Sequence, residues 1–213
     1  MTTNKKNWVN LINSKNYSLW LVGICVMVFV IQAIFPAITD QFALYSYRAL
    51  SEPWILITSI FLHGSFEHLF FNMFALALFG FILERIIGSK NFLLVFFFSG
   101  LLASLGSAYF YPASLGASGA IFGIMGTLTV LRPKMYVWVM GAPMPMFVAA
   151  ILWAAIDLVG MFAPSGIANA AHLVGLGSGI IIGLFLRNHF KEEKEEWPEE
   201  DEEPVEYYID YSY

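Results

Sequence analysis

Three polar side chains stand within apolar stretches of the sequence, and their types are those of a hydrolytic site. Ser118 lies in "GASGAIFG", His172 in "HLVGLGSG" and Asn72 in "HGSFEHLFFN". A serine beside a histidine can act as a nucleophile, because the imidazole accepts the hydroxyl proton and later returns it to the leaving group. A side-chain amide donates hydrogen bonds of the kind that stabilise an oxyanion. These residue types are therefore suited to acyl transfer, provided that the fold brings them together.

The elements that would position these residues are predicted to be membrane helices. The chain is 58% hydrophobic and 13% charged, and its mean hydropathy is +0.67, outside the usual range of soluble domains. Eleven of the sixteen acidic residues follow Phe190, so that the rest of the chain is mildly basic. The single cysteine, Cys25, lies in an apolar run and cannot form an internal disulfide. We therefore expect a polytopic protein of the lipid bilayer, with no nucleic-acid partner.

Apolar runs of roughly 20 residues, with shorter ones allowed inside a bundle, predict an all-α fold of six transmembrane helices. The predicted helices are 18–38, 66–87, 90–111, 118–131, 146–162 and 168–186. The stretch 39–65 is too polar to span a membrane and is predicted to be a structured outer loop between the first two helices. The chain divides into an N-terminal segment 1–17, a membrane domain 18–190 and an acidic, disordered tail 191–213.

The positive charges predict the orientation of this bundle. All Lys and Arg residues except Arg48 fall on one side of a six-span arrangement. By the positive-inside rule both termini are cytoplasmic, and we expect a multi-pass protein of the plasma membrane.

The candidate residues lie at one predicted depth. Ser118, His172 and Asn72 precede the basic residue at the cytoplasmic end of their helices by 14, 15 and 13 positions. At a rise of about 1.5 Å per residue, each lies about 10 Å below the outer surface of a ~30 Å hydrocarbon core. Polar side chains within a bilayer are costly and mark functional sites by default.

Two glycine stripes predict that the helices carrying Ser118 and His172 pack closely. One stripe is Gly119, Gly123 and Gly126, and the other is Gly175, Gly179 and Gly183. Small residues at helical spacing let membrane helices approach backbone to backbone. Such packing would place the Ser118 hydroxyl within hydrogen-bond reach of His172.

Further residues fit the same chemistry. His68 and Asn72 lie four positions apart, on one helix face, and with the Ser118 backbone N–H they are candidate oxyanion donors. Phe122, one turn after Ser118, is expected to pack under the imidazole. Asp157 has a similar predicted depth, and for it we expect a structural hydrogen bond or a water-facing position rather than a role in orienting His172.

The same residues resemble the rhomboid family of intramembrane serine proteases. The resemblance rests on "GASGAIFGIMG", "HLVGLGSG", "HGSFEHLFFN" and "LERIIG". It implies a six-helix core, a Ser–His dyad without a required acid, no cofactor and no metal. It also implies an enzyme that cleaves the transmembrane segments of other proteins near the outer leaflet.

Carried over by position, the resemblance assigns roles to individual residues. Ser118 is the nucleophile, His172 is the general base, and His68, Asn72 and the Ser118 amide form the oxyanion hole. The supporting residues are His63, Gly116, Gly119, Phe122, Gly175, Gly179 and Glu84. For His63 we expect a loop-structuring role rather than direct chemistry.

Two further features concern access to the site and the outer loop. Substrate entry is expected between the second and fifth helices, where Phe71 and Trp153 are candidate gate residues. Ile55 departs from the family pattern, since many members have arginine after the tryptophan that corresponds to Trp54. Arg48 is a candidate substitute for that arginine in anchoring the loop.

Other classes of protein remain open at this point. A non-catalytic rhomboid-like scaffold that binds transmembrane clients would share the glycine stripes but would not need the Ser118–His172 pair. A haem or metal protein could use His68 and His172 as ligands, and would leave Ser118 and Asn72 unexplained. A transporter is disfavoured, because no second polar layer crosses the predicted cytoplasmic half.

Overall fold

A computed structural model describes residues 15–139, 141–162 and 166–190, and this part of the chain is mostly helical. Most of the predicted N-terminal segment and all of the predicted acidic tail lie outside the described residues.

The described residues form helices and two small antiparallel sheets. The helices are α1 (Tyr17–Ile34), α2 (Ala37–Phe42), α3 (Ile55–Thr58), α4 (Phe66–Ala75), α5 (Phe81–Phe110), α6 (Ser118–Leu131), α7 (Met146–Gly160) and α8 (Asn169–Leu186). The strands are β1 (Leu44–Tyr45), β2 (Ala113–Ser114), β3 (Tyr136–Val139) and β4 (Ala142–Pro145). Strand β1 pairs with β2, and β3 pairs with β4. The predicted all-α fold is thus mostly right, but it omits these short strands.

Helices α4 and α5 are joined by the π-helical turn Leu76–Gly80 and form one helical run from Phe66 to Phe110. The run is interrupted inside α5 at Gly88, where φ is +77° and ψ is 159°. Glycine adopts this left-handed φ at little cost, whereas other residues do so rarely. The predicted boundary between the segments 66–87 and 90–111 falls at this interruption.

Several helices are suited to a bilayer. Tyr17–Ile34, Phe66–Phe110 and Asn169–Leu186 are long and apolar enough to cross a membrane, while α6 and α7 are shorter apolar helices. Their outer surfaces carry large exposed apolar side chains, including Trp20, Met27, Phe74, Ile151 and Phe185. Exposed apolar surface on this scale is typical of lipid contact.

The predicted bounds agree with the structure for α6 and differ for α1 and for α7, which ends at Gly160 rather than at 162. Helix α6 has the predicted bounds of 118–131. Helix α1 ends at Ile34 rather than at 38, because Pro36 disfavours a helical conformation at the residue before it. The segment 132–145 lies between two predicted helices and forms the β3–β4 hairpin, with Gly141 at a φ of +81° in its turn.

Helix α6 lies at the centre of the bundle. Glycines, which have no side chain, allow its backbone to lie directly against the neighbouring helices. A Cβ atom on Gly175 or Gly179 of α8 would collide with the carbonyl oxygen of Gly119 or Gly123 of α6. A Cβ on Gly123 would in turn collide with Ser99 of α5. Both glycine stripes are therefore points of direct backbone contact, as the sequence predicted.

The segment 39–65, predicted to be an outer loop, has its own hydrogen bonds and a small core. The side chain of Gln32 in α1 accepts from the His63 backbone N–H at 3.1 Å and donates to the His63 carbonyl at 3.3 Å. Ile55 is fully buried with Leu44 and Leu56. An arginine at this position would bury a charge, so the departure from the family pattern matches an apolar environment.

Arg48 stabilises the same loop from its exposed side. Its guanidinium pairs with Glu52 and donates to the Asp40 and Gln41 carbonyl oxygens at 2.7 and 3.2 Å. Hydrogen bonding to Arg48 lowers the pKa of Glu52, and the same bond raises the pKa of Arg48. These contacts join the end of α2 to residue 52 and so stabilise the loop from within.

Glu84 joins the start of α1 to α5. Its carboxylate accepts the backbone N–H groups of Tyr17 and Ser18, each at 2.9 Å, and the hydroxyl of Ser89 at 2.6 Å. The first N–H groups of a helix have no partner within the helix. Glu84 therefore caps the N-terminus of α1, although it lies in a distant part of the sequence.

Replacement of Gly179 by alanine is expected to lower the thermal unfolding midpoint in detergent, because the added methyl group meets the Gly123 carbonyl and the two backbones must separate. Overpacking of this kind costs about 1–3 kcal/mol. The matched control is Gly177→Ala in the same helix, where an added Cβ meets nothing within 4 Å. Equal midpoints for the two variants would contradict this account of the α6–α8 contact.

Replacement of Glu84 by glutamine is expected to destabilise the protein by about 1–3 kcal/mol, because one carboxylate acceptor becomes an NH₂ donor that faces donors. The measurement is again the thermal unfolding midpoint. Glu67→Gln changes an exposed carboxylate in the first turn of α4 and should have a much smaller effect. If both substitutions shift the midpoint equally, Glu84 is not the cap described above.

Candidate active site

Ser118 and His172 come together where α6 and α8 begin. Helix α6 starts at Ser118, and His172 lies in the first turn of α8. The Ser118 Oγ is 2.8 Å from the His172 Nε2, which is a hydrogen-bond distance. Phe122 stacks on the imidazole with ring centroids 4.3 Å apart and planes only 6° apart. The aromatic ring supports one face of the imidazole while the serine contacts its edge.

The other edge of the imidazole contacts Asp157 of α7. His172 Nδ1 lies 2.9 Å from Asp157 Oδ1, and Asp157 is only 5% exposed. Of the two alternatives expected for Asp157, the water-facing position is therefore wrong, and the structure shows the buried hydrogen bond. The sequence contained one indication of this contact, the predicted depth of Asp157. Which way Asp157 faces depends on the rotation of α7 about its axis, and that rotation is set by packing against other helices.

His68 and Asn72 line the same cavity from α4. The Ser65 hydroxyl accepts a hydrogen bond from the His68 backbone N–H at 3.1 Å. Ser65 thereby caps the start of α4. Asn72 Nδ2 donates to the His68 carbonyl at 2.8 Å. An amide NH₂ group has two N–H donors, so this bond leaves one for another acceptor.

Gly116 allows the chain before α6 to approach the His68 ring. Its φ is +121°, and a Cβ atom there would lie 2.6 Å from His68 Cε1. Its backbone N–H donates to the Ser59 carbonyl at 2.9 Å. Glycine is therefore required here both for its backbone conformation and for the space it leaves.

A cavity of about 1180 Å³ joins these groups to the surface of the bundle. Ser118, His172, His68 and Asn72 line it together with both candidate gate residues, Phe71 and Trp153. The Trp153 ring packs edge-on against Phe79 at a centroid distance of 6.1 Å. Phe71 is exposed and packs against Phe70 at 5.5 Å. The cavity is larger than a typical small-molecule site.

His63 lies behind the site and is nearly fully buried. Its ring meets the His68 ring edge-on at a centroid distance of 5.2 Å, while its backbone is held by Gln32. Burial, and secondarily the charge of His68, lowers the pKa of His63 to about 4. At neutral pH His63 is therefore uncharged, and its ring packs against His68 behind the site.

These observations define a helical membrane protein with a serine–histidine pair in an open cavity. Residues 50–189 match the Rhomboid domain. The chain therefore belongs to the rhomboid family, a family of intramembrane proteases, and is a multi-pass integral membrane protein.

Similar proteins occur in bacteria and plants. The chain is 38% identical over 142 residues to Rhomboid protease GluP of Bacillus subtilis, a match that covers 65% of this chain and 27% of that protein. It is 33% identical over 144 residues to RHOMBOID-like protein 4 of Arabidopsis thaliana, covering 65% and 36%. It is 27% identical over 172 residues to Rhomboid protease GlpG of Haemophilus influenzae, covering 78% and 88%. The match thus spans about a quarter of GluP and about a third of RHOMBOID-like protein 4.

The depressed pKa of His63 predicts a loss of stability in acid. Between the ordinary histidine pKa of about 6.5 and the folded value of about 4, the unfolded chain binds a proton that the folded protein does not. The free energy of unfolding should therefore fall as the pH falls through this window, by up to about 1.4 kcal/mol per pH unit from this group.

The measurement is the unfolding midpoint from pH 7 to pH 4 in detergent for the wild type and for His63→Leu. The leucine variant should show a shallower dependence on pH. His189→Gln removes an exposed histidine and should leave the dependence unchanged. An unaltered slope in His63→Leu would contradict the prediction.

Proposed function

We propose that this protein is an intramembrane serine endopeptidase that cleaves the transmembrane segments of other membrane proteins near the outer leaflet. The observation that carries the proposal is the 2.8 Å contact between Ser118 Oγ and His172 Nε2 within an open cavity. Membership of the rhomboid family supports the same reaction class.

The proposed reaction has two acyl-transfer steps. The Ser118 oxygen attacks the scissile carbonyl carbon while His172 Nε2 accepts the hydroxyl proton. His172 then donates this proton to the leaving amine, the C–N bond breaks, and an acyl ester on Ser118 remains. A water molecule attacks the ester, with His172 again as base, and releases the carboxylic acid and the free serine.

The oxyanion of each tetrahedral intermediate needs donors in fixed positions. The proposed donors are His68, Asn72 and the backbone N–H of Ser118. That N–H belongs to the first turn of α6, where helix N–H groups have no acceptor within the helix and the helix dipole favours negative charge.

The site requires a substrate whose backbone can leave its helix. In a bilayer every backbone group of a spanning helix is hydrogen-bonded within the helix, which shields its peptide bonds from a nucleophile. We therefore expect substrates with helix-weakening residues near the outer leaflet. Entry from lipid between α4 and α7 would pass Phe71 and Trp153, which line the cavity between these helices.

The proposed topology has six spanning segments. These are α1, the part of Phe66–Phe110 before Gly88, the part after it, α6, α7 and α8. Both termini are cytoplasmic in this arrangement, and the plasma membrane is the proposed location. The start of the short helix α6 then lies below the outer surface, at the base of a depression that water can enter.

The proposal is tested by cleavage of a fluorescently labelled single-span substrate in liposomes. Ser118→Ala and His172→Ala should each reduce the rate about a thousandfold or more, because each removes a member of the nucleophile–base pair. A serine-directed phosphonate probe should label the wild type and should not label Ser118→Ala. Ser178→Ala is the matched control, since the Ser178 hydroxyl bonds the Gly175 carbonyl within α8 at 2.7 Å.

Two results would overturn the proposal. Cleavage that persists in Ser118→Ala would exclude this serine as nucleophile. A wild type that neither cuts nor labels across several substrates and lipid compositions would instead favour a non-catalytic scaffold that binds transmembrane clients.

A further inference from the structure

We propose that Asp157 is a positioning residue for His172, so that the site works as an Asp–His–Ser chain rather than as a two-residue pair. This inference rests on the proposed protease function. It also departs from the acid-independent dyad that the family resemblance implies.

The imidazole of His172 bridges two side chains from two other helices. Its Nε2 faces Ser118 of α6 at 2.8 Å, and its Nδ1 faces Asp157 of α7 at 2.9 Å. An ionised carboxylate only accepts hydrogen bonds, so this contact places the ring hydrogen on Nδ1. The Nε2 lone pair then remains free to accept the serine proton, which is the tautomer that a general base requires.

The Asp157 contact supplies an orientation that the Phe122 stack does not. Stacking at an angle of 6° fixes the plane of the imidazole but still allows the ring to flip by 180° about its Cβ–Cγ bond. Hydrogen bonds at two opposite edges remove this freedom. Pre-organised groups of this kind lower the cost of reaching the reactive geometry.

Burial strengthens the electrostatic part of the contact. Asp157 is 5% exposed, and opposite charges interact more strongly away from water. When His172 accepts the serine proton it becomes an imidazolium, and an ionised Asp157 stabilises that state. The contact therefore favours the charge that develops during the reaction and does not merely hold the resting enzyme together.

Few other titratable groups face His172 in the described part of the chain. His68 approaches from α4, and Tyr111 follows α5 with its hydroxyl accepting the Ala170 backbone N–H at 3.0 Å. Glu67 is exposed at the rim of the cavity. Asp157 is the acid in direct contact with the imidazole.

The first test compares Asp157→Asn and Asp157→Glu with the wild type in liposome cleavage. Asparagine can donate its amide N–H to Nδ1, which favours the tautomer with hydrogen on Nε2. We expect kcat to fall about tenfold or more, with KM changed less than about twofold. Glutamate, which keeps a carboxylate that only accepts hydrogen bonds, should restore part of the rate.

The pH profile separates positioning from simple destabilisation. Loss of the carboxylate disfavours the imidazolium, so the acid limb of kcat/KM should move to lower pH in Asp157→Asn. Thr127→Val is the matched control, because Thr127 makes a buried interhelical bond to the Gly179 carbonyl at 2.9 Å. That variant should lower the unfolding midpoint and leave the pH profile in place.

The second test reads the tautomer directly and does not depend on cleavage. In protein labelled with ¹⁵N-histidine, His172 should show hydrogen on Nδ1 and a strongly downfield Nδ1–H proton, assigned by its loss in His172→Asn. Asp157→Asn should abolish that downfield signal. If the wild type shows this signal but cuts no substrate, the proposed function fails and the positioning of His172 by Asp157 stands.

The inference is overturned by either of two results. One is an Asp157→Asn variant with wild-type kcat and an unmoved pH profile. The other is a wild-type His172 that carries its hydrogen on Nε2.

Discussion

The backbone contact between α6 and α8 is the constraint on which the candidate site depends. Gly175 and Gly179 leave no side chain between their helix and the carbonyls of Gly119 and Gly123. Ser118 immediately precedes Gly119, and His172 lies three residues before Gly175. The hydroxyl–imidazole distance is thus fixed by rigid backbone approach. Any larger residue at these contacts would act on the site through helix separation, even though it touched neither reactive group.

Buried acids in this bundle are each matched to donors. Glu84 is fully buried and accepts from two backbone N–H groups and one hydroxyl. Asp157 is nearly as buried and meets the His172 ring. A carboxylate without such partners would be costly in a low-dielectric environment. The two acids nevertheless differ in consequence, because Glu84 fixes a helix end whereas Asp157 meets a group that can change its protonation.

Much of this arrangement could be predicted from sequence because it follows from local periodicity. The bounds of α6, the approach of the glycine stripes and the proximity of Ser118 and His172 all depend on spacing along single helices. The Asp157 contact could not be predicted in this way, since it depends on how α7 is rotated against α8. The β3–β4 hairpin was missed because an apolar segment with two prolines resembles a simple connection.

The acid that contacts His172 belongs to α7, the helix that also carries a candidate gate residue. Trp153 lies one turn earlier on the same helix and lines the cavity on the proposed entry side. The Asp157–His172 bond joins α7 to α8, so the helix that borders the proposed entry side also holds one edge of the His172 ring.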